Sequence, residues 1–163
     1  MKKKIIVLLF LFVILVTGVQ ALGLGAQFNF SAGSLFAPGV ALNICPTDIT
    51  QIAFNWYLDF DKVNIIGVTL DFGPMMLPIS EFKAGSFNFT MGLGLFANVA
   101  FDDDIGFNGG LRIPIGLNIL LGNKSAFEIF THIAPSFGMH FIPSFGLSNP
   151  FFPIAVGARF WFR

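Results

Sequence analysis

The sequence predicts an all-β fold, a closed eight-stranded antiparallel up-and-down barrel that spans a membrane, and three observations lead there. Over residues 105–121 the odd positions read Ile105, Phe107, Leu111, Ile113, Ile115, Leu117, Ile119 and Leu121, interrupted only by Gly109. The even positions from Gly106 to Asn118 are small or polar. A period of two with unlike faces is a β-strand between unlike surroundings. The second observation is composition: of 163 residues, 55% are hydrophobic and 11% charged, whereas soluble domains carry about 25% charged residues. The third is repetition, because the same two-sided pattern recurs along the chain with no helical period and no linker.

In chain order, the first segment is not a strand. Lys2, Lys3 and Lys4 precede an apolar run over residues 5–16, and Val19, Gln20 and Ala21 close it, giving the three regions of a secretory signal. The run falls short of the roughly 20 residues a membrane helix needs. Residues 1–21 are therefore expected to be a cleaved signal peptide, and residues 22–163 the barrel domain.

The first strand sets Leu22, Leu24, Ala26, Phe28 and Phe30 against Gly23, Gly25, Gln27, Asn29 and Ser31. A shorter one sets Val40, Leu42 and Ile44 against Gly39, Ala41 and Asn43. The third opposes Ile52, Phe54, Trp56, Leu58 and Phe60 to Gln51, Ala53, Asn55, Tyr57 and Asp59, and the fourth opposes Ile66, Val68, Leu70 and Phe72 to Ile65, Gly67, Thr69 and Asp71. A Pro-containing connection is expected over residues 73–85. The fifth strand then turns Phe87, Phe89, Met91, Leu93, Leu95, Val99 and Phe101 outward and Asn88, Thr90, Gly92, Gly94, Phe96 and Asn98 inward. A turn at Asp102, Asp103 and Asp104 leads into the strand over 105–121, and residues 122–125 make a tight connection. Phe127, Ile129, Thr131 and Ile133 oppose Glu128, Phe130, His132 and Ala134; a loop is expected at about 140–151. The last strand sets Phe152, Ile154, Val156, Ala158, Phe160 and Phe162 against Pro153, Ala155, Gly157, Arg159 and Trp161. Pro114 and Pro135 lack a ladder donor and mark bulges or strand ends.

About eight antiparallel strands is the smallest number common among outer-membrane barrels. In lipid, every backbone donor and acceptor has to be paired within the protein, which only a closed sheet achieves. Eight strands enclose an interior just wide enough to be filled by side chains, and the inward positions, many of them Gly, Ala and Asn, suit that crowding. An open porin-like channel is not expected. A soluble lipocalin-like barrel would turn its apolar face inward and show Lys and Glu to water, unlike the small, glycine-rich polar face here. With both chain ends on the periplasmic side, the exterior loops fall near residues 31–36, 61–62, 102–104 and 140–151.

Without residues 1–21 the chain loses three lysines, leaving six basic residues against nine carboxylates and a net charge of −3. That is no basic footprint for nucleic acid. Cys45 is the one cysteine, so no internal disulfide forms, and its expected role is packing.

Three stretches carry a resemblance: Gly110-Leu111-Arg112-Ile113-Pro114-Ile115-Gly116-Leu117-Asn118; Ala126-Phe127-Glu128-Ile129-Phe130 with Ala134-Pro135; and Gly157-Ala158-Arg159-Phe160-Trp161-Phe162. The chain resembles small OmpA/OmpX-like outer-membrane barrels, and more narrowly a family of such barrels common in spirochaetes. The resemblance covers essentially all of residues 22–163 and implies fold and location, with no catalytic signature. It also implies a C-terminal aromatic residue read by the outer-membrane insertion machinery; here Phe162 is penultimate and Arg163 follows.

The residues with chemistry are the inward charges Asp59, Asp71, Arg112, Glu128 and Arg159, with His132 on the strand that holds Glu128. Charges do not stay unpaired in a narrow lumen of low dielectric, so ion pairs or hydrogen-bonded networks are expected. The strand pattern does not say which carboxylate meets which arginine. Such a network is expected to act as a structural plug that holds strand register. The alternative is a narrow gated channel for ions or small solutes, in which Arg112 or Arg159 exchanges carboxylate partners. Glu128, His132 and Ser136 stand four residues apart on one strand, about 13 Å at 3.3 Å per residue, beyond hydrogen-bond reach of one another. No catalytic, cofactor or metal site is therefore expected, and the run Asp102 to Asp104 reads as a solvated turn in preference to a calcium site. Trp56 faces outward and suits an interfacial aromatic belt, whereas Tyr57 and Trp161 take the inward register. The expected protein is a non-enzymatic outer-membrane barrel with a structural or surface-interaction role. Its expected partners are outer-membrane lipids, the insertion machinery and an extracellular protein met through surface loops, of which the last is unusually apolar.

Overall fold

The computed structural model describes residues 21–33, 38–58, 64–101, 105–122 and 126–162. The proposed signal segment before Ala21, Asp59 and the Asp102 to Asp104 turn lie outside the described residues. Among the described residues eleven strands form one sheet: β1 (Leu22–Gly33), β2 (Gly39–Thr47), β3 (Thr50–Leu58), β4 (Asn64–Phe82), β5 (Gly85–Phe101), β6 (Ile105–Arg112), β7 (Ile115–Leu121), β8 (Phe127–Ile133), β9 (Ser136–Ile142), β10 (Gly146–Leu147) and β11 (Phe151–Phe162).

Two prolines and the two-residue β10 explain why the count exceeds eight. β6 and β7 are one strand interrupted at Pro114, and β8 and β9 one strand interrupted at Pro135. Proline loses its donor but keeps its carbonyl: the Gly92 N–H donates to Pro114 O at 2.9 Å and the Ile113 N–H to Pro135 O at 3.0 Å. The ladders therefore run through both gaps, and β5 pairs with β6 and β7 in one continuous register.

β1 to β5 pair in sequence, β6 and β7 pair with β9 and β8, these pair with β11, and β11 returns to β1. All ladders are antiparallel, and the eight long segments form a ring without a free first or last strand. The ring is staggered. From Gly33 the partners are Phe151, Ser136, Arg112, Gly94, Asp71 and Gln51; Gln51 flanks Ile52, the partner of Ile44, and the adjacent Cys45 pairs with Gly23. One circuit thus returns ten residues along β1, the stagger that tilted strands require to close a barrel.

The alternation read from the sequence gives the two sides of this wall. Phe28, Leu42, Leu93 and Leu111 are each more than 60% exposed, while Gln27, Ala41, Asn118 and Phe96 on the other face are buried. Trp56 is exposed, and Tyr57 and Trp161 are buried, as their registers require.

Two connections differ from expectation. Residues 73–85 are mostly strand: β4 continues to Phe82 and pairs with β5 from Gly85 to Met91, with register shifts between Phe72 and Met75 and between Pro78 and Ser80. Pro74 and Pro78 are tolerated because β3 ends at Thr50, opposite Phe72, so this stretch of β4 is an edge on its other side. Beyond Pro135 the chain resumes as β9, so the apolar loop is shorter than residues 140–151 suggest and folds back through β10 onto β9. The expectation of a loop rested on Pro, Ser and Gly content, and pairing with β6 overrides that composition.

Candidate functional site in the barrel lumen

The inward charges of the described strands are Asp71 on β4, Arg112 on β6, Glu128 on β8 and Arg159 on β11, all buried. Arg112 Nε lies 3.2 Å from Asp71 Oδ1, and Arg159 Nε lies 2.9 Å from Glu128 Oε2. In both pairs this Nε contact is one of proximity and not an aligned hydrogen bond. The partner question that the sequence left open is thus decided by register. Glu128 and Arg159 are direct partners on adjacent strands. Asp71 and Arg112 sit on either side of Gly94 on β5. A Cβ on Gly94 would collide with the Asp71 carboxylate and lie 2.9 Å from Arg112 Cγ, so the bare backbone is what lets the ion pair form across β5. Gly94→Val is expected to destabilise the barrel by about 1–3 kcal/mol through overpacking, measured by urea unfolding in detergent micelles; unchanged stability would refute the crossing geometry.

Glu128 is the hub. Its Oε1 accepts from Asn118 Nδ2 at 2.7 Å and its Oε2 from Trp161 Nε1 at 2.7 Å, and Asn118 in turn accepts from Asn88 at 2.9 Å. Arg159 donates to Gln51 Oε1 at 3.0 Å and to Cys45 Sγ, and its guanidinium stands 4.3 Å from the Phe130 ring centre. Arg159 thereby connects β8 to β2 and β3 across the β11–β1 seam. His132 stacks on Phe130, with its Nε2 3.1 Å from Arg112 Nη2. Sequence reasoning missed Asn118, Gln51 and Trp161 as members of this network although it had placed them on the inward face, and it assigned Cys45 to packing alone.

Toward the end that carries the longer loops, the lumen is filled by neutral groups. Gln27 donates to Asn29, Asn29 to Asn55, and Asn98 to Asn108. Phe96 and Phe151 meet edge to face with ring centres 5.1 Å apart, and Tyr57 lies against Ile65. Toward the end where β1 starts and β11 finishes the filling is incomplete, and a cavity of about 380 Å³ is bounded in part by Asp71, Glu128, His132 and Arg159. Thr90 and Gly92 on β5 also line it.

A closed antiparallel wall with an apolar outside and an ion-paired, hydrogen-bonded inside defines the class of integral membrane β-barrels. Three solved structures align with most of the chain. The N-terminal β-barrel domain of Pseudomonas aeruginosa OprF is 15% identical, with 86% of this chain and 97% of that chain covered and a TM-score of 0.43. Ail, the attachment invasion locus protein of Yersinia pestis, is 13% identical, with 87% and 97% covered and a TM-score of 0.42. Neisserial surface protein A is 11% identical, with 86% and 95% covered and a TM-score of 0.41. No family model and no curated protein matches the chain.

Proposed function

We propose that the chain is a non-enzymatic integral outer-membrane β-barrel, exported through a signal peptide over residues 1–21, with a structural or surface-interaction role. The observation that carries this reading is the inversion of polarity across the wall. Asp71, Arg112, Glu128 and Arg159 are buried on the inner face, where Asp71 meets Arg112 and Glu128 meets Arg159, while the outward positions of the ring are large, apolar and exposed, and the exposed Glu81 lies where β4 has run past the end of β3. Only a hydrocarbon surrounding rewards that arrangement. The strand ends that lead into the connections β1–β2, β3–β4, β5–β6 and β9–β11 share one end of the wall, opposite the start of β1 and the finish of β11. With the termini in the periplasm, that end faces outside and is the surface for a protein partner. In this reading the lumen charges hold register, and the neutral layer of Asn29, Asn55, Phe96 and Phe151 blocks passage.

The membrane assignment is tested by gel mobility with and without boiling: the folded barrel is expected to migrate differently from the heated chain, and a protein soluble without detergent sinks the assignment. The cavity beside the ion pairs favours the second reading, a narrow gated channel. In planar bilayers the plugged barrel is expected to give no discrete openings, before or after Arg112→Ala. Steps that change with the substitution would replace the plug by the channel.

A further inference from the structure

The outer wall is not evenly clad. Phe54, Val68, Ala97, Gly109, Met139 and Leu147 are successive ladder partners from β3 to β10 and form one outward-facing row across the strands. In the middle of that row Ala97 and Gly109 offer almost no side chain, and Gly109 is the one break in the apolar face over residues 105–121. Leu95 and Leu111 stand on the neighbouring row to one side and Phe107 on the row to the other, with Phe137 and Phe141 beside them on β9. These side chains enclose a groove of about 720 Å³, floored by Ala97 and Gly109 and ending at the exposed Leu147. Sites that hold small molecules occupy about 300–1,000 Å³. The stagger of the ring carries the row toward the loop end as it passes from β3 to β9, so the groove opens to the half of the bilayer nearer the loops.

We propose that this groove seats one acyl chain of a membrane lipid, recognised by its hydrocarbon length and not by its head group. A flat stretch of wall touches a chain from one side, whereas a chain lying on Ala97 and Gly109 is touched from the floor and from both flanks. Each added close contact contributes dispersion attraction, and an unfilled dent forfeits it. A second barrel reaches the floor poorly, because the exposed Leu111, Phe137 and Phe141 hold its broad wall away. A head group finds no partner there: the side chains lining the groove are apolar, and the backbone of the floor belongs to the β5–β6 and β6–β9 ladders. The groove is cut into the lipid-facing wall and is continuous with it, so the acyl chains of the bilayer are the occupant at hand. The inference rests on the membrane-barrel reading for that reason.

The test counts bound lipids by native mass spectrometry. The full mature chain in neutral detergent micelles is titrated with dimyristoylphosphatidylcholine, dimyristoylphosphatidylglycerol and dihexanoylphosphatidylcholine. One saturable adduct is expected with both dimyristoyl lipids at similar affinity, at least about tenfold tighter than with the short-chain lipid. Gly109→Leu fills the groove; its Cβ would lie 3.1 Å from Phe96 O and 3.8 Å from Phe141 Cε2, so the wall has to give only slightly. Ala97→Leu fills the same space from β5 and serves if Gly109→Leu does not fold. Each is expected to weaken the adduct by about tenfold while leaving heat-dependent gel mobility unchanged. Ala26→Leu adds the same bulk as Ala97→Leu at an exposed wall position on β1 outside the groove, and is expected to leave the adduct unchanged. Preference for one head group, indifference to chain length, adducts that never saturate, equal weakening by Ala26→Leu, or indifference to both filling variants overturns the inference. A dimer abolished by the filling variants gives the groove to a second copy and overturns it as well. A chain without heat-dependent mobility overturns the barrel reading and the inference together; a normal mobility shift with no saturable adduct overturns the inference alone.

Discussion

Phe54→Arg is expected to lower folding stability in lipid vesicles by about 2–4 kcal/mol, the cost of a basic side chain on the lipid face near the bilayer midplane. Phe54 is the central residue of β3 and is half exposed on the outer wall, between Leu42 on β2 and Val68 on β4. The same substitution at Phe101, at the loop end of β5, is expected to cost only about 0–1 kcal/mol, because an arginine near the interface reaches water. Equilibrium unfolding in urea with lipid vesicles measures both. Equal effects at the two positions would mean that the wall faces something other than a bilayer of finite thickness. Phe54→Leu keeps the apolar character and serves as the control for lost side-chain volume.

The second large effect is inside. Arg159→Met leaves Glu128 charged, buried and with only Asn118 and Trp161 as donors, and breaking a buried pair in this way costs about 3–5 kcal/mol. Adding Glu128→Gln to Arg159→Met is expected to restore a substantial part of that loss, since no uncompensated charge remains. Unfolding free energies of the two single variants and the double variant test the coupling; additive losses would show that Glu128 and Arg159 act independently. Arg159 also reaches Gln51 and Cys45 across the seam, so its removal is expected to loosen the junction of β11 with β1 more than Arg112→Met loosens the wall at β5.

Much of this fold is legible in the sequence, for a physical reason particular to membrane barrels. Lipid outside and a crowded lumen inside impose opposite demands on alternate residues, so the side that Phe28, Leu42, Phe54 or Leu111 takes is written in its parity. The two departures came where local chemistry misleads. Pro74 and Pro78 look like loop residues, but an edge strand needs fewer ladder donors, and β4 runs through them to Phe82. Composition alone makes residues 140–142 the start of a loop, although β6 holds them as strand.

The sequence by itself determined that the chain alternates between two surroundings, that its backbone must close on itself, and that Asp71, Arg112, Glu128 and Arg159 face inward. Those conclusions depend only on neighbours along the chain. The tertiary structure alone decided which charges meet, because the partners are separated by tens of residues and are brought together by a ten-residue stagger that no single strand encodes. It also decided that Gly94 opens the crossing from Arg112 to Asp71 and that β4 outruns β3. The unfilled space beside that edge is a property of strand ends in three dimensions, and no alternation along a strand records it.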